Sequence, residues 1–193
     1  FNSPDVIELK RTGDDRFLVA WTNAAGYNGT GLDYDIFYSI STNGGQDWSA
    51  AALLNEWGDT DTDTDHDLSP SVSSDSSGNT MAVWYGDFEH LGAGSDSDLA
   101  VKKSTDGGQT WTSSTLLLDD SFDARLPAIA HLANGHMVTT FVSDKPVPGS
   151  PSDENLFSIY SDDGGNTWSS PIPFTTDHEE DPSIFDNNFN LMT

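Results

Sequence analysis

The chain has no cysteine. That excludes a disulfide framework and any thiolate metal site. Basic residues are scarce: 7 Lys and Arg stand against 32 Asp and Glu, for a net charge of −25. A surface of that sign repels nucleic-acid phosphates and anionic membranes, so neither is expected as a partner. It attracts cations and stays soluble in high salt, where its self-repulsion is screened. A secreted or salt-exposed setting fits, although the plainer reading is that most of the acids solvate loops. Long apolar runs are missing too, at 35% hydrophobic residues, so no membrane insertion is expected. No stretch of helical periodicity lasts beyond a turn or two. The first residue is Phe1, with no initiator Met and no signal-type leader, as expected of a processed, trimmed or partial chain.

What is present is a repeated phrase. Residues 41–48 read STNGGQDW, 104–111 read STDGGQTW and 161–168 read SDDGGNTW. Their tryptophans, Trp48, Trp111 and Trp168, lie 63 and 57 residues apart, a period longer than any hairpin. Before each phrase runs a seven-residue stretch opened by Asp35, Asp98 or Asn155 and rich in β-branched or aromatic residues, which predicts a strand. Each phrase then offers Asx and paired glycines, the chemistry of a tight turn needing positive φ. A second short strand follows.

Upstream of each such hairpin the sequence predicts another, over residues 5–22, 69–86 and 126–143, the last with an Asn-Gly tip. Four strands per unit at a period near 60 residues describe the blade of a β-propeller. The expected fold is therefore all-β, built of four-stranded antiparallel blades in one partial propeller domain. Blade 1 is expected at about 1–55, blade 2 at about 66–118, blade 3 at about 124–175 and the start of a fourth at about 178–193.

The phrase resembles the Asp-box, or bacterial neuraminidase repeat, of the sialidase superfamily, with consensus Ser-x-Asp-x-Gly-x-Thr-Trp. The second and third copies match through Ser104, Asp106, Gly108, Thr110 and Trp111, and through Ser161, Asp163, Gly165, Thr167 and Trp168. The first keeps Ser41, Gly45 and Trp48 but has Asn43 for Asp and Asp47 for Thr. The resemblance implies that the box is the turn between a blade's third and fourth strands, its carboxylate bonding turn amides and its Trp packing beneath the blade. That makes it a folding device rather than a catalytic one. Asn43 can still accept through its carbonyl oxygen, so the first box should survive its substitution. The resemblance also implies a six-bladed ring, so the remainder would come from further chain or from a second copy.

In such a fold the inter-blade links and the loops joining second to third strands share one rim, and the boxes share the other. Function in the resembling family sits on the first rim. There, Asp59, Asp61, Asp63 and Asp65 alternate along the first link, a spacing of hard oxygen ligands that suits calcium. The segment lacks the central Gly and late Glu of an EF-hand, and the plainer reading is a solvated linker. No cofactor is otherwise required.

Sialidases hold the substrate carboxylate with three arginines, activate a Tyr through a Glu, and use an Asp as acid/base. This chain has only Arg11, Arg16 and Arg125. Arg11 and Arg16 flank a hairpin tip expected on the box rim. Arg125, in Ala124-Arg125-Leu126-Pro127, resembles the family's Arg-Ile-Pro element, although here it follows two boxes instead of preceding them. The links bring Asp119, Asp120, Asp123, Asp177, Glu179 and Glu180 toward that rim, which would repel an anionic sugar. His66 and His178 lie too far apart for a local metal motif.

Two carboxylates across a pocket suffice for glycoside hydrolysis. Asp67, Asp123 and Asp181 recur just before the innermost strands and are weak catalytic candidates, their recurrence favouring a structural role. Trp57, Tyr27 and Tyr85 are candidate sugar-stacking platforms, whereas the regular spacing of Trp21, Trp84 and Phe141 points to packing between blades. The function expected is an extracellular module that binds a glycan or cell-surface ligand without a complete catalytic set. Two alternatives stand beside it: part of a sialidase-like glycoside hydrolase, and a structural spacer stiffened by calcium.

Overall fold

The computed structural model describes residues 5–24, 33–56, 66–88, 91–148 and 154–174. Strands β1 (Asp5–Arg11), β2 (Phe17–Ala24), β3 (Tyr34–Ser41) and β4 (Ala52–Leu53) form the first sheet. The second holds β5 (Asp67–Ser74), β6 (Thr80–Asp87), β7 (Ser97–Ser104) and β8 (Thr115–Leu118). The third holds β9 (Ala124–His131), β10 (Met137–Ser143), β11 (Asn155–Ser161) and β12 (Ile172–Pro173). Each sheet runs in simple sequence order, and every pairing is antiparallel. These are three propeller blades. The fourth, foreseen from residue 178 onward, lies outside the described residues.

Burial along the strands shows how the blades stack. In β11 buried and less buried residues alternate from Asn155 to Ser161, as they do in a sheet packed on one face. In β6 five consecutive residues from Thr80 to Trp84 are buried, because blade 2 has a neighbour on each side. One apolar core joins blades 1 and 2 through Leu18, Ala20, Ile36 and Leu54 against Val72, Ala82, Trp84 and Ala100. Another joins blades 2 and 3 through Met81, Val83, Leu99 and Val101 against Ile129, Met137, Phe141 and Phe157. Each large side chain so buried contributes about 2 kcal/mol. Trp84 and Phe141 thus do pack between blades, while Trp21 stacks on Phe37, with ring centroids 6.0 Å apart, on the outer side of blade 1.

The boxes hold this stack together. In the second and third boxes the second glycine of the pair lets the chain come close: a Cβ on Gly108 would overlap Leu18 of blade 1, and one on Gly165 would overlap Met81 of blade 2. Trp111 meets Tyr38 of blade 1 edge-on at 5.9 Å, and Trp168 packs on the core shared by blades 2 and 3. The expectation of an indole tucked beneath its own blade is therefore extended: it reaches the preceding blade. The first glycine of each pair ties its box to the β1–β2-type hairpin of the same sheet, as in Gly107 N donating to Gly78 O at 2.9 Å.

Candidate functional site

The innermost strands of the three blades border a cleft of about 830 Å³. Glu8 comes from β1, residues 68–71 from β5 and residues 125–128 from β9, with Thr22, Tyr85, Val142 and Glu154 completing the wall. Neighbouring innermost strands are stitched by serine hydroxyls: Ile129 N donates to Ser71 Oγ at 3.2 Å and His131 N to Ser73 Oγ at 2.8 Å.

Where β5 and β9 face the cleft their backbones bulge. The register shifts between Leu68 and Ser71, and again in β9 opposite Thr140 and Val142. At each bulge a non-glycine residue has left-handed φ, 51° at Ser69 and 53° at Leu126, immediately before Pro70 and Pro127. Positive φ is uncommon for a residue such as Leu126 and stores strain, which surrounding contacts must hold. One such contact is Ser69 N donating to Thr22 Oγ1 of blade 1 at 3.3 Å. The Ser-Pro and Leu-Pro pairs were the sequence signal for these bulges.

Arg125 and Tyr85 meet in this cleft. The Arg125 guanidinium pairs with Glu154 and lies 3.5 Å from Asp123, whose other oxygen accepts Ser97 N at 3.0 Å. Burial raises the Tyr85 phenol above its ordinary value, only partly offset by Arg125 and by a hydrogen bond with Ser69. Tyr85 therefore stays protonated at neutral pH and can donate. Glu154 was not foreseen, since nothing in the sequence links it to an arginine 29 residues away.

Asp67 is enclosed. Its carboxylate accepts from Trp84 Nε1 and from Asn55 Nδ2 at 2.7 Å, and Asn55 also donates to Asp35 at 2.8 Å. This network fastens the first inter-blade link and offers the cleft no oxygen. Asp181, Trp57, Tyr27, His178 and the acids Asp59, Asp61, Asp63 and Asp65 lie outside the described residues, as do Asp177, Glu179 and Glu180. Among the described residues no three His, Asp or Glu side chains gather to hold a metal ion, and no helix is long and apolar enough to cross a membrane.

Near the cleft the second link is acidic. Asp98 is wholly buried at the entry to β7, and its Oδ1 accepts Asp120 N at 3.4 Å. Burial first, then the nearby Asp96, Asp119 and Asp120, push its carboxyl up to about 7. Lys145 offsets part of this charge by pairing with Asp120 at 2.6 Å. The other two arginines serve the opposite rim: Arg11 pairs with Asp14 at 3.2 Å, and Arg16 donates to the Asp106 carbonyl at 3.1 Å.

In the boxes, Asp106 Oδ1 accepts the Thr110 amide and the Ser104 hydroxyl, while Oδ2 accepts the Thr110 hydroxyl at 2.6 Å. Burial works against ionisation of Asp106, but these donors outweigh it and hold its carboxyl at about 2. Asp163 repeats the arrangement with Thr167 and Ser161. Every such group is spent on its own turn. The model of the BNR repeat-like domain matches residues 15–192, enclosing all three boxes. The chain belongs to that family.

This BNR repeat-like chain is 29% identical over 127 residues to a sialidase of Paraclostridium sordellii, an alignment covering 55% of the chain and 30% of that protein. Its structure resembles the Hadza microbial sialidase Hz136, with TM-score 0.66 at 18% identity over 86% of this chain and 36% of that one. It also resembles a Penicillium chrysogenum alpha-L-arabinanase complexed with arabinobiose, with TM-score 0.58 at 13% identity over 84% of this chain and 47% of that one. The chain is a sialidase-like propeller segment, spanning about a third of the sialidases it matches.

Proposed function

We propose that this segment binds a saccharide in the cleft between its innermost strands, as the glycan-facing part of an extracellular sialidase-like propeller, without supplying a complete catalytic set. The convergence of Arg125, Glu154 and Tyr85 in one cleft carries this reading. Sugars are held by planar charged side chains that bond paired hydroxyls and by aromatic rings that cover apolar ring faces. The remaining wall mixes apolar side chains of proline, leucine, valine and alanine with the hydroxyl residues Thr22, Ser69 and Ser71 and the acid Glu8.

Two observations favour binding over sialoside hydrolysis by this segment. Arg125 is already countered by Glu154 and Asp123, so an incoming carboxylate must compete with both. Arg11 and Arg16 are engaged on the opposite rim. A neutral or weakly charged saccharide meets less repulsion, and one structural neighbour holds the neutral arabinobiose. The likeness to sialidases supports the second reading, that a longer protein completes a hydrolase around this segment.

Calorimetry with 3′-sialyllactose and arabinobiose tests the proposal. Saturable binding of either, weakened at least about tenfold by Arg125→Ala at unchanged melting temperature, is the expected result. Absence of binding across both probes overturns it. Turnover of a fluorogenic sialoside by this chain, lost in Asp123→Asn, would overturn the non-catalytic part. Calcium on the 59–65 acidic run is a separate proposal, removed by a melting temperature that neither calcium nor chelator shifts.

A further inference from the structure

Blades 1 and 2 enter their third strands through the same phrase, Asp33-Tyr34-Asp35 and Asp96-Ser97-Asp98. Residues two apart on an extended chain point to the same side. Burial follows that alternation in blade 1: Asp33 is 2% exposed and Asp35 0%, whereas Tyr34 between them is 37% exposed. Asn23 of β2 pairs with Asp35 of β3, so its side chain joins theirs on that side. In blade 2 the residue at the position of Asn23 is Gly86, which pairs with Asp98.

The blade 1 group is short of donors. Asp33 is buried, yet neither its Oδ1 nor its Oδ2 meets a hydrogen-bond donor, and the buried Oδ1 of Asn23 meets none either. Beside them Asp35 already accepts from Asn55, which also serves the buried Asp67. Burying a carboxylate without compensation is costly, so the group calls for a proton or a cation. One proton on Asp33, donated to Asn23, still leaves the second Asp33 oxygen bare. A single cation serves all three oxygens at once. Blade 2 differs in both respects: Gly86 brings no amide oxygen, and Lys145 brings a cation of the protein's own by pairing with Asp120, whose amide bonds Asp98.

We propose that Asp33 and Asn23, with Asp35 beside them, hold a calcium ion at the entry to β3. Diagonal neighbours such as Asn23 and Asp33 stand about 7 Å apart, a gap their side chains can close onto an ion held at about 2.4 Å. The donor set decides the metal. Carboxylate and amide oxygens are hard ligands, with no nitrogen or sulfur to favour a transition metal. Calcium accepts such an irregular oxygen set, whereas magnesium demands a near-ideal octahedron. The net charge of −25 concentrates cations around the chain.

The test sets the acidic run of the first link aside by carrying Asp59→Asn, Asp61→Asn, Asp63→Asn and Asp65→Asn in every protein compared. Calcium chloride titrated into this chelator-treated background should show saturable binding of one ion. The melting temperature should rise by about 5 °C or more at a hundredfold excess over Kd. Asp33→Asn keeps the shape and should weaken binding at least about tenfold, with a calcium-free melting temperature no lower than the background's. Asn23→Asp adds a carboxylate and should tighten calcium binding while lowering the calcium-free melting temperature. Asp98→Asn should leave the calcium response intact. A background that neither binds calcium nor shifts its melting temperature overturns the proposal. Binding that survives Asp33→Asn, or is lost in Asp98→Asn, overturns it as well. Should Asp33→Asn fail to fold, Asn23→Asp still decides, since an affinity no tighter than the background's contradicts a ligand at residue 23.

Discussion

The side-chain amide of Asn43 donates to Asp47 Oδ2 at 2.8 Å, reversing the hydrogen bond that Thr110 gives Asp106. The backbone bond survives the reversal, because Asn43 Oδ1 still accepts Asp47 N at 2.9 Å. The two departures of the first box thus compensate each other. Asn43→Asp alone sets two carboxylates face to face and should lower stability by about 1 kcal/mol. Asp47→Thr added to it restores the donor and should recover most of that loss. A double-mutant cycle on thermal melts measures the coupling, and additive effects would show the two residues to be independent.

Gly108 and Gly45 occupy the same position in their boxes, with φ of 90° and 85°. Alanine is strained at both, but only at Gly108 does its Cβ meet a neighbour, Leu18. Gly45→Ala should therefore cost about 1 kcal/mol from backbone conformation alone. Gly108→Ala should cost about 1–3 kcal/mol more, since the core between blades 1 and 2 must open. Equal midpoints for the two variants in urea would contradict the blade-locking role of the box.

Much of the fold was legible because a propeller is local. Each strand pairs with the next along the chain, so the Asn134-Gly135 turn, with φ of 63° and 79°, and the three boxes punctuate the sheets in sequence order. The box side chains were legible for the same reason, since Ser104 and Asp106 bond within four residues of themselves. The cleft was only half legible. Arg125 and Tyr85 lay on the right rim, but their meeting depends on how blade 3 stacks on blade 2, which no local pattern records. Asp67 looked like a channel carboxylate until Asn55 and Trp84, 12 and 17 residues away, enclosed it.

Lys102 crosses from blade 2 to the first link, where its ammonium donates to the Leu54 carbonyl and pairs with Glu56 Oε2, both at 2.6 Å. Burial works against ionisation of Glu56, but Lys102 and the Ser114 hydroxyl and amide outweigh it and hold its carboxyl below the usual range. Lys102→Ala leaves a buried carbonyl and a carboxylate without their cation and should cost about 2–3 kcal/mol. Lys102→Met keeps the packed stem and should cost clearly less. Equal losses in the two variants would mean that charge, not packing, carries the whole effect.

Asp98 makes stability depend on pH in the direction opposite to a salt-bridged acid. Its folded value is raised from 3.8 to about 7, so between these limits the folded chain holds a proton that the unfolded chain has lost. The contribution of the neutral carboxyl is fully present below pH 3.8 and is lost as pH rises to about 7. Asp106, depressed to about 2, contributes stability above pH 3.8 that is lost as pH falls toward 2. Asp98→Asn keeps the shape without the titration. It should raise the melting temperature at pH 7.5 and flatten the melting profile between pH 4 and 7, leaving the acid limb unchanged. A variant whose profile still falls as steeply from pH 4 to 7 would assign that slope to other carboxylates.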